Sequence, residues 1–241
     1  MVIRAVVWDV DDTLFDYTGA DRAALSGYLA AQGREAGDGD VLLRWREITE
    51  IHWARFAAGE TDYEGQRRDR VREFLGERMT DTEAEDWFGG YLEHYRRAWA
   101  LFPDAVPALD ALAGLCRHAV LSNSSLSHQD PKLRALGVRD RFEAVLCAAE
   151  LGIAKPRPAA FHAACDALRL PPDQVAYVGV HPEIDGRGAA EAGLHSFWLD
   201  RLGAADGRPR PRSGVHRIAS LAELPPLLRA DTRFGAPSTF G

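Results

Sequence analysis

Val2-Ile-Arg-Ala-Val-Val-Trp8 runs directly into Asp9-Val-Asp-Asp-Thr-Leu-Phe-Asp16, and this junction decides the fold. The first seven residues form a short apolar run rich in β-branched side chains, which is typical of a strand buried in a parallel sheet. The acidic cluster begins where that strand is predicted to end. Because open parallel sheets bind ligands at the carboxyl ends of their strands, the cluster predicts a crevice lined by carboxylates.

Asp9 and Asp11 are the candidate catalytic pair within this cluster. Alternate residues of an extended segment point in the same direction, so the two carboxylates can act together. One carboxylate can attack a phosphorus atom and form an acyl phosphate, while the other donates a proton to the leaving oxygen. The structural alternative is a solvated acidic turn in which Thr13 caps a helix.

Helix and strand patterns alternate from Ala105 onward. Strands are predicted at 118–122, 144–148, 175–180 and 195–199, and helices at 106–116, 132–136, 158–168 and 186–192. Such alternation predicts a parallel sheet flanked by helices, so the strand before Asp9 belongs with the second half of the chain. The intervening block from Asp16 to Trp99 shows helical spacing of its apolar residues and predicts an insert of helices.

The composition excludes several classes of protein. A chain of 241 residues that is 46% hydrophobic and 27% charged is typical of a globular protein with a sizeable core. No run reaches the roughly 18 apolar residues that a membrane span needs, and no signal-peptide pattern opens the chain. The net charge of −7 without a basic stripe argues against a nucleic-acid polymer as partner.

The cysteines and lysines carry further information. Cys116, Cys147 and Cys165 are odd in number and form no CxxC pair, which favours reduced thiols and a cytoplasmic location. Among 29 Lys and Arg residues, only Lys132 and Lys155 are lysines. Codon bias is the ordinary explanation, but an ammonium and a guanidinium are not interchangeable, so each lysine is worth locating in the fold.

The motifs, taken in order, resemble those of the haloacid dehalogenase-like superfamily. Its first motif, Asp-x-Asp-x-Thr after the first strand, matches Asp9 to Thr13. Its second motif, a hydroxyl residue at the end of the next strand, matches Ser122-Asn123, and its third, a lysine often followed by proline, matches Lys155-Pro156. The resemblance extends over about residues 1–230.

The resemblance implies an α/β fold whose Rossmann-like parallel-sheet core comprises residues 1–15 and 101–230. A helical cap is expected at 16–100 and a flexible tail at 231–241. The cap is rich in aromatic residues, including Trp45, Trp53 and Trp87. We favour the interpretation that they form the core of the cap over the alternative that they contact a ring-bearing substrate. Residues 11–17 also resemble the pyrimidine-nucleotidase-like branch.

The resemblance also implies roles for individual residues. Asp9 is expected to be the nucleophile and Asp11 the acid that later activates water. Ser122 and the Asn123 amide are expected to hold phosphoryl oxygens. Thr13 and Lys155 complete the predicted substrate-binding set, with Lys155 offsetting anionic charge.

The implied reaction is hydrolysis of a small phosphomonoester, such as a nucleotide or a sugar phosphate, through an aspartyl-phosphate intermediate. A dehalogenase is disfavoured, because family members with that chemistry generally lack the second aspartate and this chain has Asp11. The partner is therefore expected to be a small phosphorylated metabolite.

The fourth motif departs from the family pattern. The segment reads Val178-Gly-Val-His-Pro-Glu-Ile-Asp-Gly186, in which Asp185 matches the second acidic position but Val180 stands at the first. By resemblance, Mg²⁺ would be held by the Asp9 carboxylate, by Asp11 through its backbone carbonyl, and by Asp185. The loss of the carboxylate at position 180 should weaken its binding, unless Asp185 or Glu183 compensates for it. The alternative function is therefore a catalytically impaired member of this fold with a ligand-binding or regulatory role.

Overall fold

A computed structural model describes residues 2–34, 40–201, 203 and 214–233 of the chain. Within these residues, six strands form one parallel sheet in the order β3-β2-β1-β4-β5-β6. The strands are β1 (Ala5–Trp8), β2 (Arg117–Ser122), β3 (Ala144–Cys147), β4 (Val175–Gly179), β5 (His195–Leu199) and β6 (Val215–Ile218). The predicted α/β fold with a parallel sheet is confirmed.

The helices occupy the connections between these strands and the long insert after β1. They are α1 (Tyr17–Ala31), α2 (Asp40–Ala57), α3 (Tyr63–Leu75), α4 (Asp81–Arg97), α5 (Ala105–Leu112), α6 (Leu126–Ala135), α7 (Ala148–Leu151), α8 (Pro158–Leu168), α9 (Gly188–Glu191) and α10 (Leu224–Arg233). A π-helical segment, Pro182–Arg187, joins β4 to α9.

Strand β1 lies in the middle of the sheet, between β2 and β4. Ala5 pairs with Arg117 on one side and with Val175 on the other. All four residues of β1 are buried, and Trp8 has no exposed surface. Because β2 and β4 run parallel to β1, the segments that follow all three strands leave the sheet at the same edge.

The contacts divide the chain into two units, one of residues 1–16 and 100–241 and the other Tyr17–Trp99. The second unit consists of α1 to α4 around a core of its own, in which Trp45, Trp87 and Tyr91 are buried. These aromatic side chains pack on one another, with ring centroids 5.8 Å apart for Trp45 and Trp87. Their burial supports the interpretation of the aromatic residues as the core of this unit.

One carboxylate is buried inside the helical unit. Asp21 on α1 is 2% exposed, and its Oδ1 accepts hydrogen bonds from Trp45 Nε1 and Tyr91 Oη. The three residues come from α1, α2 and α4, so this carboxylate links three of the four helices. Burial and Asp21 raise the pKa of Tyr91 well above its usual value.

The tail predicted at 231–241 lies only partly within the described residues. Helix α10 continues to Arg233, so the predicted tail is helical at its first three positions, and its residues from 234 onward lie outside the described part. No helix among the described residues is long and apolar enough to cross a bilayer. Cys116, Cys147 and Cys165 are buried free thiols.

Candidate active site

The chain turns sharply where β1 ends. The backbone N–H groups of Leu14 and Phe15 both donate to the carbonyl oxygen of Val10, at 3.0 and 2.9 Å. Asp12 has a φ of 58°, a left-handed conformation that aspartate tolerates better than most residues. The turn keeps Asp9 next to the sheet, where its N–H donates to Val178 O on β4 at 2.9 Å.

Asp9, the predicted nucleophile, is buried and held at both oxygens. Its Oδ1 accepts from Lys155 Nζ at 2.9 Å, and its Oδ2 accepts from Thr13 Oγ1 at 3.1 Å. Thr13 is completely buried, so its hydroxyl orients Asp9 from within the fold. Burial raises the pKa of Asp9 to about 7, with Lys155 opposing this shift and the Asp185 and Asp11 carboxylates adding to it.

Lys155 lies at the centre of the buried charges. Besides Asp9, its Nζ donates to Asp185 Oδ1 at 2.7 Å and to Tyr177 Oη at 2.6 Å, which uses all three ammonium hydrogens. Burial alone would lower the pKa of Lys155, but the attraction of Asp185 and Asp9 outweighs it and raises the pKa above the usual value. One ammonium group is therefore shared by two carboxylates.

Asp185 is held as firmly as Asp9. Its Oδ1 accepts from Tyr177 Oη at 2.9 Å as well as from Lys155, and its Oδ2 accepts from the N–H of His181 at 2.9 Å. The carboxyl group packs so tightly on Gly179 that a Cβ there would lie 2.5 Å from Asp185 Cγ. A glycine is required at the end of β4 because only a residue without a side chain leaves this room.

Ser122 is the last residue of β2 and Asn123 follows it, at the same edge of the sheet. The Asn123 side chain makes a pair of hydrogen bonds with the backbone of Lys155, accepting from its N–H at 2.8 Å and donating to its carbonyl at 2.9 Å. This contact fixes the segment that carries Lys155. Ser122 Oγ accepts from Gln129 Nε2 at 3.2 Å.

Asp11 is the more exposed of the two predicted catalytic carboxylates, with 33% of its side chain accessible. Its Oδ1 accepts from Lys132 Nζ at 2.7 Å and its Oδ2 from Gln129 Nε2 at 2.7 Å. Both donors lie on α6 and are buried. The predicted site residues thus form two hydrogen-bonded groups. One contains Asp9, Thr13, Asn123, Lys155 and Asp185. In the other, Gln129 joins Asp11 to Ser122, the chain neighbour of Asn123.

Three further residues of these two groups, Tyr177, Gln129 and Lys132, were not predicted from the sequence as site residues. In the sequence, Tyr177 is one aromatic residue within a predicted buried strand, and Gln129 belongs to none of the motifs. Lys132 had one usable signal, its rarity in a chain whose other basic residues are almost all arginine. Burial and the neighbouring Asp185 and Asp9 carboxylates raise the pKa of Tyr177 well above its usual value, so it acts as a neutral hydrogen-bonding group.

The carboxylates implied as magnesium ligands do not form a magnesium site in this arrangement. Lys155 Nζ lies between Asp9 and Asp185, and both side-chain oxygens of Asp11 accept hydrogen bonds from Lys132 and Gln129, which leaves Asp11 its backbone carbonyl alone as a metal ligand. Val180 offers no side-chain donor, and its carbonyl accepts from Trp198 Nε1 at 2.9 Å. Within the described residues, no three His, Cys, Asp or Glu side chains are grouped to hold a metal ion. The donor set therefore does not fit Mg²⁺, which requires several oxygen ligands in octahedral geometry.

Known proteins similar to this chain include both phosphatases and dehalogenases. The chain is 31% identical to phosphoserine phosphatase of Thermus thermophilus, over 92% of this chain and 99% of that protein. It is 30% identical to (S)-2-haloacid dehalogenase 1 of a Pseudomonas species, over 94% and 96% respectively. It is 25% identical to pyrimidine 5′-nucleotidase YjjG of Escherichia coli, over 92% and 96%.

The fold has a solved counterpart in the hydrolase YfnB of Bacillus subtilis, determined with magnesium bound. The TM-score is 0.79 over 95% of this chain and 100% of that one, at 20% sequence identity. The family model for haloacid dehalogenase-like hydrolases matches residues 3–193, which include β1 to β4 and all the site residues described above. This chain therefore belongs to the haloacid dehalogenase-like hydrolase family.

Proposed function

We propose that this chain hydrolyses small phosphomonoesters through an aspartyl phosphate formed on Asp9. Asp9 is a buried carboxylate at the end of the central strand, aligned by Thr13 and paired with Lys155. A carboxylate held in one orientation is suited to nucleophilic attack, since little further ordering is required to reach the transition state.

The proposed reaction has two steps. A carboxylate oxygen of Asp9 attacks phosphorus, the bond between phosphorus and the leaving oxygen breaks, and Asp11 transfers a proton to that oxygen. Water then attacks the phosphorus of the aspartyl phosphate and gives a proton to Asp11. The bond between phosphorus and the Asp9 oxygen breaks, which releases inorganic phosphate and restores both carboxyl groups.

The observation that carries this proposal is the placement of Asp11. It is one-third exposed and lies two residues from Asp9, while Gln129 connects it to Ser122. An alkoxide leaving group requires a proton, whereas a halide ion departs without one. A second, accessible carboxylate beside the nucleophile therefore favours phosphoester hydrolysis over dehalogenation, although relatives of both kinds exist.

The substrate class follows from the same chemistry and from the relatives. Two of the similar proteins are a phosphoserine phosphatase and a pyrimidine 5′-nucleotidase, and both names denote small phosphorylated substrates. We infer a nucleotide or sugar monophosphate for this chain. Hydrolases of this family generally use Mg²⁺, but the donor set among the described residues does not fit it, and the two proposed steps use only side chains of this chain and water.

A panel assay tests the proposal. The purified chain is incubated with p-nitrophenyl phosphate, nucleoside monophosphates, sugar phosphates and 2-chloropropionate, with and without Mg²⁺, while released phosphate and chloride are measured. We expect phosphate release and no chloride. Glu93→Gln, which alters an exposed ion pair with Arg97, serves as the control. Absence of turnover on every phosphate would favour the ligand-binding alternative raised by Val180.

A further inference from the structure

Both lysines of this chain lie in the acidic site. They are the only lysines among 29 Lys and Arg residues, and their side chains are 3% and 6% exposed at positions 155 and 132. Lys155 belongs to the motif that predicted it. Lys132 belongs to none of the motifs, yet it is buried against the second carboxylate of the proposed reaction.

The contacts of Lys132 are specific. Its Nζ lies 2.7 Å from Asp11 Oδ1 and 4.3 Å from the centre of the Phe15 ring. An ammonium on an aromatic face that also pairs with a carboxylate is held from two directions. An arginine would place a wider, planar fork in this space, so the geometry accounts for a lysine at this position in an arginine-rich chain.

Gln129 makes the matching contact on the other oxygen. It precedes Lys132 by three residues on α6, so the two side chains lie on the same helical face. Its Nε2 donates to Asp11 Oδ2 at 2.7 Å and to Ser122 Oγ at 3.2 Å, while its Oε1 is buried without a hydrogen-bond partner. An orphaned buried oxygen costs about 1–3 kcal/mol, so packing alone does not explain a glutamine here.

We propose that Lys132 and Gln129 are positioning residues that hold Asp11 in the orientation needed for proton transfer. Each carboxylate oxygen has two lone pairs, and the two donors of α6 occupy one on each oxygen. The remaining lone pairs stay available on the exposed third of the side chain. This inference rests on the proposed function, because it assigns the support of its general acid.

The experiment compares two leaving groups. A general acid accelerates reactions by about 10²–10⁴-fold and matters most when the leaving oxygen is strongly basic. Lys132→Met keeps the length of the side chain and removes its charge. We expect kcat/KM to fall on the order of 10²-fold for an alkyl phosphate and by less than about tenfold for p-nitrophenyl phosphate, since a nitrophenolate departs without help.

Two further variants separate positioning from folding. Gln129→Met removes the donor and the orphaned oxygen together, so it should fold normally and shift the leaving-group dependence in the same direction. Arg134→Met, on the exposed face of the same helix, is the matched control and should leave both rates unchanged. Circular dichroism and melting curves of each variant establish that it is folded.

A double-mutant cycle supplies the decisive readout. In an Asp11→Asn background, Lys132→Met should cost less than about threefold, because the group that it positions is already absent. Additive losses, or equal losses on both leaving groups, would overturn the positioning role while leaving the proposed function intact. A wild-type chain that hydrolyses no phosphate would overturn the proposed function, and this inference with it.

Discussion

Asp21 and Asp9 are both buried carboxyl groups, at 2% and 7% exposure, but they are held by different kinds of hydrogen-bond donor. Asp21, in the helical unit, accepts hydrogen bonds from two neutral donors, Trp45 Nε1 and Tyr91 Oη. Asp9, in the sheet unit, shares a lysine ammonium with Asp185. The neutral donors to Asp21 are part of the aromatic core of the helical unit. The cluster of charged groups around Asp9 lies at the edge of the sheet where β1, β2 and β4 end.

The difference teaches that burial and hydrogen bonding do not by themselves mark a catalytic carboxylate. Asp21 accepts hydrogen bonds from two side chains and thereby links three helices. Among the described residues, it forms no ion pair with a charged side chain. At Asp9, the like charges of Asp185 and Asp11 remain after Lys155 is counted, and they contribute to its raised pKa. Convergent charge of this kind costs stability and is retained at functional sites.

The largest expected effect concerns Asp9. Asp9→Asn should lower phosphatase turnover on the order of 10⁴-fold, because an amide oxygen cannot form the phosphoenzyme. Its free energy of unfolding should change little, since Asp185 continues to pair with Lys155. Turnover of p-nitrophenyl phosphate and urea unfolding curves measure the two effects. An Asn variant that works at the wild-type rate would exclude Asp9 as nucleophile.

The second-largest expected effect, at Asp21, is the opposite one: a loss of stability with little loss of activity. Asp21→Ala should lower the free energy of unfolding by about 2–5 kcal/mol, because it leaves the buried donors of Trp45 and Tyr91 without an acceptor. Asp21→Asn keeps one acceptor oxygen and should cost less. Turnover of p-nitrophenyl phosphate per folded molecule should stay within a few-fold of the wild type. A large loss of turnover without loss of stability would contradict the structural role.

His118 is a third buried polar group, and like Asp21 it accepts from a neutral donor, but it lies in the sheet unit. His118 Nδ1 accepts from Trp8 Nε1 at 3.1 Å, and burial lowers the pKa of His118 from 6.5 to about 4. The folded state therefore disfavours the proton that the unfolded chain binds. Stability is complete above pH 6.5 and should fall by about 2 kcal/mol by pH 5, with the loss complete below pH 4.

Urea unfolding at pH 7.5 and at pH 5 measures this loss. His118→Gln retains an acceptor for Trp8 and removes the titrating ring, so its stability should change less between the two pH values. If the wild type and the variant lose the same stability on acidification, His118 is not the group responsible.

The smallest effect concerns the charge balance at the fourth motif. Val180→Asp adds a carboxylate near the strand end, and 10 mM Mg²⁺ should then raise the free energy of unfolding by about 1–2 kcal/mol. Without Mg²⁺ the added negative charge should lower stability, because Asp9 and Asp185 already share one lysine. Melting temperature against Mg²⁺ concentration is the measurement.

Val180→Asn provides a neutral control that adds an oxygen without a charge. The wild type should show no saturable stabilisation by Mg²⁺. Saturable stabilisation of the wild type at micromolar Mg²⁺ would mean that Lys155 yields its place between Asp9 and Asp185 to the cation.

The sequence by itself determined the fold class, the family and the residues that follow the strands. Helix 158–168 and strand 195–199 have the bounds that their patterns predict. The sequence predicts these bounds because the spacing of apolar residues along a helix or strand shows which of its faces is buried. The prediction was less accurate at α6. The sequence pattern predicts a helix at 132–136, whereas α6 begins at Leu126 and continues through Pro131. Proline is unfavourable inside a helix, so the pattern placed Gln129 outside it.

Only the tertiary structure decided which charges meet. The contacts of Asp11 with Gln129 and Lys132 span 118 and 121 residues, and that of Asp9 with Lys155 spans 146. Spacing along a chain carries no information on such pairs, because the order of strands in the sheet brings them together. The sequence alone identified the carboxylates of the site. The packing of α6 places Lys132 beside Asp11, and the position of β1 between β2 and β4 brings Asp9 and Asp185 to Lys155.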